Sequence, residues 1–184
     1  MTTNGMEIIS PTSVSASSGS ATITNEGTVT YTGDFITLNG IFSATYRNYL
    51  VIIMRRLENN TGLNLNLTSS GTASTTNQKY NRFWVRNTGF QDGYESSSTP
   101  YFDSGTANLY AANSRQSNVI HFFNPYTTEP TRAYGWFAAQ YSSIVGPYGG
   151  ATSFYKDDST SYDGFRIYSA ATHTGRITVY GMVD

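Results

Sequence analysis

No cysteine occurs among the 184 residues. Disulfides, a thiol nucleophile and a thiolate metal site are therefore excluded, and the fold must rely on packing alone. Charge is also scarce: 12% of residues are charged and the net charge is −1. Ser, Thr, Asn and Gly fill the places that Lys and Glu normally occupy, so the surface is neutral and rich in hydrogen-bonding groups. The 11 basic residues are spread along the chain and form no run, so no nucleic-acid partner is expected. The two histidines, His121 and His173, lie far apart and show neither H-x-H nor H-x-x-x-H spacing. With no G-x-S-x-G nucleophile elbow beside them, no catalytic residue, bound metal or cofactor is assigned. An apolar run of the ~18 residues that suggest a membrane span is missing, and MTTNGMEIIS lacks the basic and apolar regions of a signal peptide. The expectation is a chain made in a cytosol and not inserted into a membrane. No segment combines helical periodicity with caps.

What is abundant is aromatic, at 15% of residues, with 15 tyrosines among them. Tyrosine joins a large apolar body to a hydroxyl that needs a partner when buried, which suits half-buried strand faces, subunit interfaces and sugar-binding surfaces. Plain β-propensity would enrich it as well. Eight or more short strands separated by Gly-rich turns predict an all-β fold, an antiparallel β-sandwich of jelly-roll type with one core. The centre of that core is placed in Phe42–Leu57, where Leu50-Val51-Ile52-Ile53-Met54 is the longest apolar run and reads as a strand buried on both faces.

Residues 1–33 are rich in Thr, Ser and Gly and hold short β-prone islands at 6–9, 21–24 and 28–31. They read as a polar N-terminal arm or edge strands that gain order on the body or on a neighbouring subunit, or else as a linker, with the sandwich domain spanning 34–184. Met6, Ile8, Ile9, Ile23, Val29 and Tyr31 are the arm's candidate contact residues. Phe35–Leu38 followed by Asn39-Gly40 predicts a hairpin into the central stretch, and Leu63, Leu65 and Leu67 alternate on one strand face. On the strand 79–86, Tyr80, Arg82, Trp84 and Arg86 would share a face. Tyr80, Trp84, Tyr134 and Trp136 are the candidate surface-contact aromatics, with ordinary cross-strand stacking as the alternative use. Residues 87–118 read as a long excursion with a short strand near Leu109-Tyr110, and Val119–Phe123 as a second buried strand. Turns are expected at Gly149-Gly150, Asp163-Gly164 and Thr174-Gly175. Asp157, Asp158 and Asp163 form the one acidic cluster, but they lack the regular ligand alternation of a calcium loop.

Phe42-Ser43-Ala44-Thr45-Tyr46-Arg47-Asn48-Tyr49, leading into an apolar strand, is joined downstream by the segment 70–80, by Asn124-Pro125, by Asp163–Ile167 and by Gly175–Gly181. In order and spacing these pieces resemble a β-sandwich module of tailed-bacteriophage virion proteins, found in head-decoration proteins and tail-fibre ends. The resemblance covers roughly Phe35 to Met182. It implies a structural or adhesive role with no catalytic residue to carry over. With no shaft repeat or heptads after Met1, the expected role is capsid decoration: a cement protein, a homotrimer on the virion's capsid surface whose partner is the major capsid protein. The alternative is a tail-fibre or adhesin module that recognises a host surface glycan. The tyrosines and Asn48 of the motif are expected to fix the entry of the central strand.

Overall fold

Islands of β-branched and aromatic residues favour the pleated backbone, and the Gly, Asn and Ser between them favour turns. In the computed structural model, which describes residues 5–57, 62–86, 89–99, 102–103, 115–140 and 147–183, the described residues form strands and no helix. The strands are β1 (Met6–Ile8), β2 (Ser13–Ala16), β3 (Ser20–Ile23), β4 (Val29–Asn39), β5 (Asn48–Leu57), β6 (Asn64–Ser69) and β7 (Thr72–Ala73). They continue as β8 (Gln78–Arg86), β9 (Gly89–Thr99), β10 (Phe102–Asp103), β11 (Arg115–Phe123), β12 (Thr131–Gln140), β13 (Pro147–Lys156) and β14 (Gly164–Met182). The protein is an all-β antiparallel sandwich of jelly-roll type.

Strand β14 ties its layers together. One edge pairs with β4 and, at its end, with β1; the other pairs with β6 over Gly164–Tyr168 and with β5 over His173–Met182. Register with β4 shifts between Tyr168 and His173, an irregularity of the kind that bends a strand and increases its twist. On one side of this bend lies a broad layer in the order β14-β5-β11-β12-β13-β8-β9. On the other lies a smaller layer of β6, the first part of β14, the second part of β4, and β2, with β7 and β10 at the β6 edge. The layers meet through aromatic rings: Phe122 of β11 lies 6.2 Å from Phe165 of β14, and Phe42 lies 5.5 and 6.1 Å from the two. Around them Ile36, Leu38, Leu65, Leu67 and Ile167 face Tyr49, Val51, Ile53, Ile120 and Phe154. Fully burying each such side chain stabilises the fold by about 1.5–3 kcal/mol.

Leu63, Leu65 and Leu67 are fully buried, as their alternation predicts. Several other expectations need correction. The run Leu50–Met54 is buried on one face only: Val51 and Ile53 point into the core, whereas Met54 is 57% exposed. An uninterrupted apolar run conceals the period of two, so the sequence reads as two-sided burial where the sheet has an apolar outer face. β4 and β5 do not form a hairpin, because β14 lies between them and pairs with both. Thr174-Gly175 is no turn but part of continuous β14, and Gly149-Gly150 lies inside β13. A side chain at 175 would meet the Tyr31 hydroxyl at 2.6 Å, which explains that glycine by close approach and not by a turn.

The expected arm is built into the chain's own sheet. β1 pairs with β14, and β2 and β3 pair with β4. The boundary expected after residue 33 falls within β4, and Val29 and Tyr31 are core residues, so neither can serve as a surface contact. Ile9 and Ile23 pack partly buried against the core, while Met6 and Ile8 stay exposed. At the motif that begins the central strand, the Tyr49 hydroxyl donates to the Ser43 carbonyl at 3.0 Å and accepts from the Ser43 amide at 2.7 Å. Tyr46 reaches back to Glu7 at 2.5 Å, and its ring covers Gly181, where a Cβ would stand 2.6 Å from it. The 87–118 excursion holds β9 and β10, and Leu109-Tyr110 lies outside the described residues.

Candidate functional site

The outer face of the broad layer is where exposed aromatic residues converge. Register across β11, β12, β13 and β8 sets three rows abreast: Phe123, Arg132, Tyr155 and Lys79; then His121, Tyr134, Ser153 and Asn81; then Val119, Trp136, Ala151 and Phe83. On β13 the middle rows hold only Ser153 and Ala151, while Tyr134 and Trp136 stand on one side and Asn81 and Phe83 on the other. Small residues between large ones make a groove along β13. It comprises two adjoining cavities of about 530 and 340 Å³ that share Asn81, Tyr134 and Ser153.

Ring contacts hold the walls. Tyr134 stacks on His121 at 4.8 Å and lies 5.7 Å from Phe123, and Phe83 meets Trp136 edge-on at 6.4 Å. Burial lowers the His121 pKa, so this imidazole is neutral at pH 7. At one end of the groove the Lys79 ammonium and the Arg132 guanidinium lie 5.8 and 6.0 Å from the Tyr155 ring centroid. Lys79 also pairs with Asp157 at 3.4 Å, across an exposed gap that contributes little to stability. The groove thus offers apolar ring faces with hydroxyl, amide and cationic groups between them. None of its described lining residues is a carboxylate, and Asp157 stands beside it, accepting from the Tyr155 hydroxyl at 3.2 Å. At the rim, register sets Glu95 of β9 opposite Asn81.

Two of the four expected surface aromatics, Tyr134 and Trp136, lie in this groove, and Trp136 is 57% exposed. Tyr80 is not a surface residue; it is 7% exposed and points into the core, because the outward set on β8 is the odd-numbered one, Lys79, Asn81, Phe83 and Val85. Trp84 is paired in the backbone with Gly150 and Gln91, and its side chain lies outside the described residues. Sequence reading missed Phe83, Phe123, Tyr155, Asn81 and Ser153. The signal was the phase of each strand, which cannot be set from a strand read alone. The acidic cluster separates: Asp157 meets Lys79, Asp158 meets Lys156, and Asp163 accepts from the Ser70 amide. Among the described residues no group of three His, Asp or Glu is placed to hold a metal ion.

His173, the other histidine, is buried inside the sandwich. Its ring meets Tyr31 edge-on at 5.2 Å, near Arg55, which donates to Gln116 Oε1 at 2.7 and 2.5 Å. Burial first, then the Arg55 charge, lowers its pKa from 6.5 to about 4, against smaller opposing effects of the Ala171 carbonyl and Asp34. Folded His173 is therefore neutral where the unfolded chain would bind a proton. Its contribution to stability is full above the unfolded value and declines as pH falls toward the folded one. At about 1.4 kcal/mol per pKa unit, the loss between neutral pH and about pH 4 is roughly 3 kcal/mol. Urea unfolding as a function of pH measures it, and His173→Phe should flatten the profile in this window. An unchanged profile would remove the assignment.

No protein-family model matches the chain, and no curated protein matches it in sequence. Among solved structures it is similar to peanut lectin with a 9mer peptide, at TM-score 0.31 and 8% identity, over 95% of this chain and 97% of that one. It is also similar to the Emp47p carbohydrate recognition domain, at TM-score 0.30 and 6% identity, over 94% and 90% of the two chains. The catalytic domain of an endo-1,3-beta-glucanase (laminarinase) from Thermotoga petrophila RKU-1 matches at TM-score 0.23 and 10% identity, over 98% and 79%.

Proposed function

We propose that this chain is a non-enzymatic binding module that recognises a surface glycan through the groove along β13, the adhesin role among those implied by the virion resemblance. The observation that carries it is the small-floored, aromatic-walled groove on an exposed sheet face. Sugar rings present C–H faces that stack on aromatic rings and hydroxyls that need hydrogen-bonding partners. Tyr134, Trp136, Phe83 and Tyr155 supply the first, and Asn81, Ser153 and Arg132 the second. Such a mixture of apolar walls with a few polar groups is the usual make-up of a ligand site. In the expected homotrimer three grooves would act together, and modest single-site affinity would be multiplied.

Capsid decoration, the other role, draws support from exposed Met6 and Ile8 on β1, but the rest of the N-terminal segment is occupied in its own sheet. Glycan-array screening of the wild type, Trp136→Ala and Tyr134→Ala tests the proposal. Removing an aromatic anchor should cost about 2 kcal/mol, or roughly thirtyfold in affinity. No glycan bound by the wild type, or equal binding by both variants, would sink it. Occupancy of phage heads that is lost in Met6→Ser/Ile8→Ser would favour capsid decoration instead.

A further inference from the structure

The floor of the β13 groove is open over Ser153 and crossed at Ala151. Register places Ala151 between Trp136 of β12 and Phe83 of β8. Two strand spacings of ~4.8 Å hold those backbones about 10 Å apart. The ring centroids, however, are 6.4 Å from each other. Both rings therefore lean inward and meet edge-on over β13. Ala151 beneath them is half-buried, whereas Ser153, two residues along the same strand, is exposed. A ligand chain lying along the floor over Ser153 meets this pair and can advance no farther at that level.

The chemistry also changes along the floor. Where the rings meet, the smaller cavity, of about 340 Å³, is walled by Phe83, Trp136, the Ala151 methyl group and Gly135, which has no side chain. Thr152 is 4% exposed and faces the core, so its hydroxyl does not reach this cavity. Ser153 and Asn81 border both cavities, and the cations Lys79 and Arg132 border the larger one alone. The indole N–H is the one polar group on the side chains at the ring pair. A hydroxyl pressed there would leave water without a side-chain acceptor for its proton, which is costly, whereas a methyl group placed there gains by leaving water.

Resting on the glycan reading, we infer that the groove takes the end of a glycan chain, and that the terminal residue carries a methyl group seated against Phe83, Trp136 and Ala151. A deoxy sugar and an acetylated sugar both present such a group. The sugar ring stacks on Tyr134, its hydroxyls meet Ser153 and Asn81, and the remainder of the chain leaves past Tyr155. That exit lies four residues of β13 from Ala151, or ~13 Å at ~3.3 Å per residue. An internal segment of a polymer would need an unobstructed track on both sides of Ser153, and on one side the ring pair stands across it. Phe83 is thus the specificity-determining wall, and Trp136 serves as wall and stacking surface together.

A glycan array carrying matched sets on one backbone tests this. Each set has chains ending in a 6-deoxyhexose, in an N-acetylhexosamine and in the plain hexose, and the first two again with a further hexose added beyond the methyl-bearing residue. At least one methyl-ended chain should bind about tenfold tighter than its hexose-ended match, the discrimination typical of a small group in an apolar pocket. The added hexose should remove that advantage, and the two methyl-bearing ends tell a deoxy from an acetyl ligand. Phe83 is 40% exposed, so Phe83→Ala should fold; opening the wall should bring capped and uncapped chains close to equal affinity. Hexose-ended or capped chains bound by the wild type as tightly as the methyl-ended ones would overturn the inference and leave the glycan reading standing. No glycan bound anywhere on the array would overturn both. A Phe83→Ala protein that still rejects capped chains would overturn the assignment of the wall.

Discussion

Asp158→Ala is expected to destabilise the protein by about 3–5 kcal/mol, the loss typical when one partner of a buried ion pair is removed. Lys156, at the end of β13, is fully buried, and its ammonium lies 2.6 Å from the Asp158 carboxylate, which is 20% exposed. It also donates to the Thr76 carbonyl and lies 5.9 Å from the Tyr162 ring centroid. Tyr162 completes the network by donating to both Asp158 oxygens at 3.0 and 2.9 Å. Burial disfavours the charged form of Asp158, but hydrogen bonds from Lys156, Tyr162 and the Thr160 amide outweigh it and hold the carboxyl below its ordinary 3.8. The contribution is therefore present above that value and is lost only as pH falls further, below the window in which His173 acts. Lys156→Met should cost less than Asp158→Ala. It removes the buried charge and leaves behind a carboxylate that water and Tyr162 still reach. Urea midpoints of the two variants decide the matter; an Asp158→Ala protein within about 1 kcal/mol of the wild type would show that the pair is not what secures this corner.

Phe122→Ala is expected to cost about 3–5 kcal/mol as well, by lost transfer energy and by the cavity left between the layers. Against total stabilities of about 5–15 kcal/mol, that loss approaches unfolding at physiological temperature. Phe122 is where β11 reaches Phe42 and Phe165, so it joins the broad layer to the smaller one. Val119→Ala, on the outward face of the same strand, should cost less than about 1 kcal/mol. Denaturant unfolding of the two variants gives the comparison directly. A Phe122→Ala loss no larger than that of Val119→Ala would mean that the layers are held elsewhere. Glycan binding by the fraction of Phe122→Ala that remains folded should match the wild type, because the groove is built on the opposite face of the sheet.

Both faces of β11 were open to error from sequence alone. In 119–123 every residue is apolar or histidine, and nothing in the run says that Ile120 and Phe122 turn inward while His121 and Phe123 turn outward. The leucines of 63–67 suffered no such ambiguity, since Asn64 and Asn66 separate them and the alternation is visible. Tyr80 shows the cost of a wrong phase: one residue along the strand, Lys79 and Asn81 line the groove whereas Tyr80 is core. Residues 1–33 illustrate a different limit. Their islands are legible as strands, but short polar strands carry no mark of which edge will take them, and β4 and β14 lie far away in sequence.

Composition and local pattern by themselves determined the β class, the absence of thiol chemistry, the leucine strand and the aromatic supply. Those properties depend on residue type and on neighbours within a few positions. The tertiary structure alone decided which aromatic residues are walls and which are core. It also decided that Arg56, Lys79, Arg115, Arg132 and Arg176, scattered over more than half the sequence, share one face, where Asp157 pairs with Lys79. Register between distant strands sets both, because each slip by one residue exchanges the two faces of a sheet.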